Sequence, residues 1–384
     1  MSALDLLPFI QAVCGVCLAA AAVGCAFTLL QAFLIARFSG EAMIESADEP
    51  AVTVLKPLHD DEPDLLSRLG RFCEQDYAGP VQIVCGVRGD ATAAAVMQEF
   101  KAKFPDKTIE CVTDARGHGS NGKVSNLVNM LPSARHGTLV LSDSDIVVEA
   151  DYLREVTALL EAPRVGAVTC LYYGTGEGLW QRLSALTINS HFLPQAILAT
   201  SLGLAQYCCG ATVAMRRSML DRIGGFAAFG DELADDFAIG NAIRSLGLRI
   251  VTAPRLVGHR CREGSFGELM QHQLRATRTI KSIDPVGYIG TIIAHPWALA
   301  LLGMLSGSVI AAPIAVVALA SRLLLCLAVA RRFGLPRRDL WLVPLHDMVA
   351  FAVYFMSFCG KTVHWQGSDY RVTEEGMLIE LEAD

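Results

Sequence analysis

The stretch Thr138-Leu-Val-Leu-Ser-Asp143-Ser-Asp145-Ile146 decides how the rest of the chain is read. Three apolar residues in a row (Leu139, Val140, Leu141) predict a buried strand, and an acidic turn follows at once. In an open α/β sheet, ligands bind outside the carboxyl ends of the strands. Both carboxylates then face that crevice, where they can share a hard divalent cation with phosphate oxygens. Asp-Ser-Asp is also an ordinary solvated turn, so the metal–diphosphate reading depends on what surrounds it.

Upstream, Val52 to Leu55 predicts a strand closed by Lys56-Pro57, and Asp64 caps a helical pattern with Leu65, Leu66, Leu69 and Phe72 on one face. Val81 to Val87 predicts a second strand with Asp90 just beyond it. A helix over 93–104, a strand over 108–112, a Gly/Asn-rich loop over 117–122 and a helix over 123–131 come next. Strands alternating with helices predict parallel βαβ units, with Asp90 and Asp143 at one sheet edge.

Downstream, 165–171 predicts a strand and Gly174, Gly176 and Gly178 a loop whose spacing is not a dinucleotide-binding fingerprint. The spacing then predicts an amphipathic helix from Leu179 and a strand over 207–215 bent at Gly210. Asp235 and Asp236 open a helix running to about Leu246; acids there complement the helix dipole whether or not they do chemistry. Residues 264–281 form a basic amphipathic segment.

With 52% hydrophobic residues and a mean hydropathy of +0.39, the 384-residue chain is too apolar for an ordinary soluble enzyme. A net charge of −7 gives nucleic-acid binding no support. The twelve scattered cysteines read as reduced, with no disulfide framework. Leu6 to Ile35 carries no charge and is long enough to cross a bilayer, and Arg37 places the residues beyond this run in the cytoplasm. From 289 the chain is apolar again, with a basic connection at Arg331, Arg332, Arg337 and Arg338 and a last apolar run interrupted by His346-Asp347. The expected organisation is a membrane helix at 6–36, a cytoplasmic catalytic domain at 50–285, a membrane region of two to three apolar segments at 289–360, and a tail at 361–384.

Asp90, Gly122-Lys123-Val-Ser-Asn126-Leu127, Asp143-Ser-Asp145, Asp235-Asp236 and the segment His272 to Ala276, in that order, resemble the membrane-bound branch of the family 2-like glycosyltransferases over residues 50 to 285. One departure is plain: the family's Arg-Trp dipeptide is Arg275-Ala276 here, and His272 stands where Gln or Arg is usual. Val54-Leu-Lys-Pro57 and the stretch Gly210 to Phe226 are similar to ceramide glucosyltransferases. Thr169-Cys-Leu-Tyr172, Gly178-Leu-Trp180, Phe192-Leu-Pro194, His272-Gln-Leu-Arg275 and Asp284-Pro-Val-Gly-Tyr288 are similar to the bacterial hopanoid-pathway enzymes that add N-acetylglucosamine to bacteriohopanetetrol.

The resemblance implies an α/β fold of the GT-A type, a Rossmann-like mixed sheet, flanked by N- and C-terminal membrane helices. It implies a multi-pass protein of the bacterial inner membrane with the catalytic domain facing the cytoplasm. The implied reaction is inverting transfer of N-acetylglucosamine from UDP-GlcNAc to a lipid hydroxyl, with ceramide glucosylation from UDP-glucose and polysaccharide synthesis as alternatives. Asp236 is the implied base, with Asp235 as its alternative. Lys56, Pro57, Asp90, Lys123, Asn126, Asp143 and Arg275 would bind the nucleotide sugar. Asp145 with Asp143, joined by His259, would hold Mg²⁺ or Mn²⁺. Gly210, His272, Gln273 and Arg278 would meet the acceptor. Tyr172, Tyr173, Trp180, His191 and Phe192 read equally as an acceptor groove or as core aromatics. The implied partners are the UDP-sugar, a membrane lipid and the bilayer, with no nucleic acid.

Overall fold

The computed structural model describes residues 3–40, 49–58, 64–89, 91–360, 362–365, 368–373 and 377–381. In chain order its elements are α1 (Ala3–Arg37), β1 (Val52–Pro57), α2 (Leu65–Cys73), β2 (Val81–Val87), α3 (Ala91–Lys103), β3 (Thr108–Thr113), α4 (Gly122–Met130), β4 (Thr138–Leu141), β5 (Ile146–Val147), α5 (Tyr152–Leu160), β6 (Val165–Thr169) and β7 (Tyr172–Thr175). Then come α6 (Leu179–Thr187), α7 (Leu193–Ser201), β8 (Val213–Arg216), α8 (Arg217–Arg222), α9 (Asp235–Ser245), β9 (Arg249–Thr252), β10 (Val257–Arg260), α10 (Phe266–Ile283), α11 (Pro285–Gly290), α12 (Pro296–Met304), α13 (Ala311–Phe333), α14 (Val343–Met356), β11 (Thr362–Trp365), β12 (Ser368–Val372) and β13 (Leu378–Glu380).

The chain divides into two compact units. One contains Ser39–Tyr173, Gly203–Arg260 and Trp365–Asp384. Its seven-stranded sheet has the order β3-β2-β1-β4-β8-β6-β9. β1 pairs in parallel with β2 and β4, whereas β8 runs antiparallel to both β4 and β6, so the sheet is mixed. Successive strand residues face opposite sides. Val52 and Val54 therefore join Leu69, Phe72, Phe100 and Val156 in one core, while Leu55 joins Leu127, Met130, Ile239 and Ile243 in the other. The result is a sheet sandwiched between helices, both faces dry, and its loops carry the polar chemistry.

Several local expectations give way here. The strand expected over 207–215 is only Val213–Arg216; residues 209–212 form a turn closed by Thr212 N–H on the Cys209 carbonyl at 3.0 Å. Lys56 and Pro57 do not leave the sheet but continue β1, in register with Cys85 and Gly86. Asp64 precedes α2 in a left-handed conformation (φ 59) and makes no side-chain cap bond. β1 to β4 pair in parallel as expected, and the antiparallel β4–β8 pairing makes the sheet the mixed one that the resemblance implies.

The other unit contains Met1–Phe38, Gly174–Leu202 and Cys261–His364. The expected contiguous stretch 50–285 is thus split, because 174–202 and 261–283 bond to each other and to the apolar helices. Gln273 Nε2 donates to Thr187 Oγ1 at 2.8 Å, and Thr187 Oγ1 lies 3.0 Å from His346 Nε2 on α14. Two helical stretches, Pro8–Arg37 and Ala311–Arg332, are long and apolar enough to cross a membrane, and the pair around His295, bent by 64° at Pro296, is a third if it is one span. Small residues let these helices approach: Ala21, Cys25, Ala300, Ala315 and Ala318 share one core, and a methyl at Gly24 would meet the Ile293 carbonyl at 2.4 Å.

His346-Asp347 does not interrupt the last apolar segment; α14 runs through it. Asp347 is fully buried and receives Arg322 Nε at 2.7 Å and Nη2 at 2.9 Å, while Nη1 and Nη2 also reach Ser190. His191, His346 and Asp347 have their ligand atoms within 4.8 Å of one another. The Arg322 guanidinium already stands among them, 2.9 Å from His191 Nε2, and supplies the positive charge a metal would bring. All twelve cysteines are free.

Candidate active site

The acidic turn after β4 is braced from beneath. Lys56 is completely buried, over the Phe72 ring at 4.3 Å, and its ammonium donates to Ser142 Oγ at 3.3 Å and to the Asp143 carbonyl. Arg68, also buried, donates through Nε to the Ser144 carbonyl at 3.0 Å. The turn's backbone is thus held by two cations, and its carboxylates are left to the cleft side.

Asp143 Oδ1 lies 2.9 Å from Lys123 Nζ, and the same ammonium lies 3.1 Å from Asp235 Oδ2. Lys123 sits in the first turn of α4, whose N-terminus is capped by the Asn121 side chain on Val124 N–H. Burial works against its charge, but Asp143, Asp235 and Asp236 outweigh burial and hold its pKa above the ordinary lysine value. Asp236, next along α9, receives Gly210 N–H on Oδ2 at 2.7 Å and Phe237 N–H on Oδ1 at 2.8 Å. Burial, then the neighbouring Asp235 carboxylate, pushes its pKa up from 3.8 to about 6.

Gly210 sits in the middle of this group. A Cβ there would stand 3.0 Å from both Asp143 Oδ2 and Lys123 Nζ and 3.4 Å from Asp236 Oδ2. Its φ is not in the left-handed region, so a side chain there would disturb the placing of these charged ends and not the backbone conformation.

On the far side of the acidic turn, Asp145 Oδ2 is 3.3 Å from His259 Nε2. The pairing of β5 with β10 places them: His259 lies opposite Ile146, and Arg260 N–H donates to the Asp145 carbonyl at 3.0 Å. Two donors on one cation with bonds of about 2.1 Å at right angles stand about 3 Å apart. A carboxylate oxygen and an imidazole nitrogen at this separation can therefore hold Mg²⁺ or Mn²⁺ alongside phosphate oxygens. The Tyr172 ring lies against His259, centroids 5.6 Å apart. Burial, with Cys209 and Asp236 nearby, lifts its phenol well above its ordinary pKa, so it stays a neutral hydroxyl.

The chain is similar to known proteins. The profile of glycosyl transferase family 21 matches residues 16–378. The chain belongs to glycosyl transferase family 21. Among curated relatives, Ceramide glucosyltransferase 1 of Caenorhabditis elegans is 25% identical over 211 residues, covering 54% of this chain and 45% of the relative. An N-acetylglucosaminyltransferase of Azorhizobium caulinodans is 25% identical over 177 residues, covering 44% and 43%. The chain thus spans less than half the length of these relatives. Among solved structures, the mannosyltransferase PcManGT from Pyrobaculum calidifontis, in complex with GDP-Man and Mn²⁺, superimposes with a TM-score of 0.52 at 19% identity, over 91% of this chain and 99% of that one. The family 21 chain has the GT-A-like α/β fold with a mixed sheet.

The family 21 unit with the large sheet brings together Asp143, Asp145, Lys123, Asp235, Asp236, Gly210 and His259. Asp90 lies outside the described residues. Pro57 is buried in β1, and Asn126, also buried, donates to the Gly86 carbonyl at 2.9 Å, so both shape the β2 end. Arg275, His272, Gln273 and Arg278 lie on α10 in the other unit. There His272 Nδ1 meets Glu263, and Gln273 is buried on Thr187. The Arg278 guanidinium reaches the Cys359 carbonyl at 2.7 Å and the Thr362 carbonyl, just beyond the end of α14. Sequence reasoning passed over Arg68, because a lone arginine on an apolar helix face carries no motif, and gave Thr169 no role of its own, because a threonine inside an expected strand shows no bonding partner.

Proposed function

We propose that this chain transfers N-acetylglucosamine from UDP-GlcNAc to a hydroxyl of bacteriohopanetetrol, with inversion, at the cytoplasmic face of a bacterial inner membrane. The observation that carries the reaction is Asp236, a carboxylate aimed by two backbone N–H groups beside the Lys123–Asp143–Asp235 cluster. The family and the relative named an N-acetylglucosaminyltransferase support the donor. The hopanoid acceptor rests on the sequence resemblance and on apolar helices that would keep the enzyme where lipids reside. The relatives named ceramide glucosyltransferases favour a second reading, transfer of glucose from UDP-glucose to ceramide.

In this reading Asp236 accepts the proton of the acceptor hydroxyl as its oxygen forms the bond to the anomeric carbon, and the bond from that carbon to UDP breaks. A positioned base of this kind contributes roughly 10²–10⁴-fold. Lys123 bonds to Asp143 and Asp235 and fixes both, whereas Asp236 is held by backbone N–H groups and is the carboxylate left to take a proton. Asp145 and His259, with Asp143, would hold the divalent cation, which when bound offsets the negative charge of the leaving diphosphate.

The test is transfer by purified protein in detergent with Mg²⁺ or Mn²⁺, offering both UDP-sugars against bacteriohopanetetrol and ceramide. We expect N-acetylglucosamine on the hopanoid, abolished by EDTA and lowered at least ~10²-fold in Asp236→Asn. Glucose on ceramide instead would establish the second reading. Full activity of Asp236→Asn would remove it as the base.

A further inference from the structure

In the proposed reaction the Gly210 N–H clamps Asp236, and a turn of four small residues cannot hold a clamp rigidly by itself. Beneath the turn lies a buried hydroxyl. Thr169, the last residue of β6, is completely buried, and its Oγ1 accepts the Cys209 N–H at 2.9 Å while donating to the Thr212 carbonyl at 2.8 Å. One hydroxyl therefore ties both ends of the turn, and the turn's own bond (Thr212 N–H to Cys209 carbonyl, 3.0 Å) closes the ring around Gly210. The single hydrogen of Thr169 Oγ1 has two carbonyls of the turn in reach, Thr212 at 2.8 Å and Cys209 at 3.3 Å, while a lone pair takes the Cys209 N–H, so every bond of this hydroxyl goes to the turn.

The clearance at Gly210 explains why the turn must be held closely. Gly210 Cα passes so close to Asp143, Lys123 and Asp236 that a methyl group there would press on the Asp143 and Lys123 side-chain ends, so the turn sits close against the acids. If it drifts away from them, the 2.7 Å bond to Asp236 Oδ2 lengthens and the carboxylate keeps only its own-helix donor, Phe237 N–H. That leaves it free to swing toward Lys123. On the far side of Thr212, its Oγ1 lies 3.0 Å from the buried Tyr152 hydroxyl. This contact is to the Thr212 side chain and not to the carbonyl that Thr169 holds.

We propose that Thr169 is a positioning residue for the transfer: through the Cys209–Thr212 turn it fixes the Gly210 N–H that aims the Asp236 carboxylate. This rests on the reading of Asp236 as the base. A geometric role of this kind predicts loss in the chemical step with substrate binding preserved.

The experiment compares Thr169→Val, Thr169→Ser, Tyr152→Phe and Asp236→Asn in the detergent-solubilised full chain, measuring kcat, KM for each UDP-sugar and lipid, and Tm. Thr169→Val keeps the shape and removes the hydroxyl; kcat falls about 10- to 100-fold with both KM values within about twofold. Thr169→Ser restores the hydroxyl and returns kcat to within about threefold. Tyr152→Phe lowers Tm but leaves kcat unchanged, separating positioning from general loosening. If Thr169→Val does not fold, Thr169→Cys, close in shape and weak in hydrogen bonding, gives the same reading. Wild-type kcat in the Val or Cys variant beside an inactive Asp236→Asn overturns the role of Thr169 and leaves the base intact. An active Asp236→Asn overturns the base and this inference with it. Equal loss of kcat in Tyr152→Phe and Thr169→Val reduces Thr169 to a stability residue.

Discussion

At the scale of single residues, the carboxylates differ through their surroundings and not their chemistry. Asp143 and Asp235 share the Lys123 ammonium, whereas Asp236 receives only neutral backbone donors and is held near a pKa of 6 by burial and by Asp235. A base must be ionised to act, so kcat/KM for the free enzyme rises with pH and is half-maximal near pH 6. A pH–rate profile checks this, and one flat between pH 5 and 8 contradicts the assignment. The stability effect has the opposite sign. Because the folded state holds this proton more tightly than the unfolded chain (about 6 against 3.8), the associated stability is complete below pH 3.8 and is lost as pH rises through about 6. Activity and stability therefore pull in opposite directions at this one carboxylate.

Elements set which of these residues meet. β4 ends where the acidic turn begins, α4 and α9 bring Lys123 and Asp235 to it, and the β5–β10 pair carries His259 to Asp145. In the other unit, α13 and α14 are joined by the Arg322–Asp347 pair, both members buried and the guanidinium also bonded to Ser190. Removing one partner of a buried pair leaves the other uncompensated and costs about 3–5 kcal/mol. Asp347→Asn is therefore expected to lower Tm sharply in a detergent thermal-shift measurement. Replacing both residues together, Arg322→Met with Asp347→Leu, is expected to recover much of the loss. If Asp347→Asn melts like wild type, the pair is not a stabilising element.

For the whole molecule, two candidate spans and the bent third pair make the protein an integral one in our reading. We expect it to stay with the membrane fraction through a carbonate wash at alkaline pH, where proteins held only by surface charge are released. The net charge of −7 supports the same expectation, since an anionic leaflet does not attract it. Release into the soluble fraction would contradict membrane integration.

The chain's own pattern was enough to place β1 to β4 within two residues and to mark Asp143, Asp145, Asp235 and Asp236. Strand ends and helix starts are local events, and local periodicity records them. It also marked His259, whose pairing with Asp145 comes only from the antiparallel β5–β10 register. What periodicity does not record is which distant side chain completes a bond. The strand expected over 207–215 became a turn because Thr169, 40 residues away, satisfies its backbone in place of a sheet neighbour. Nothing local to Arg278 shows that its guanidinium bonds two backbone carbonyls 81 and 84 residues further on. His346-Asp347 reads as a break in an apolar run until Arg322 is placed against it. Apolar burial depends on a residue's own face and repeats along the chain, so sequence alone determined the layers. Polar satisfaction depends on partners brought together by folding, so only the tertiary structure decided how the site is held.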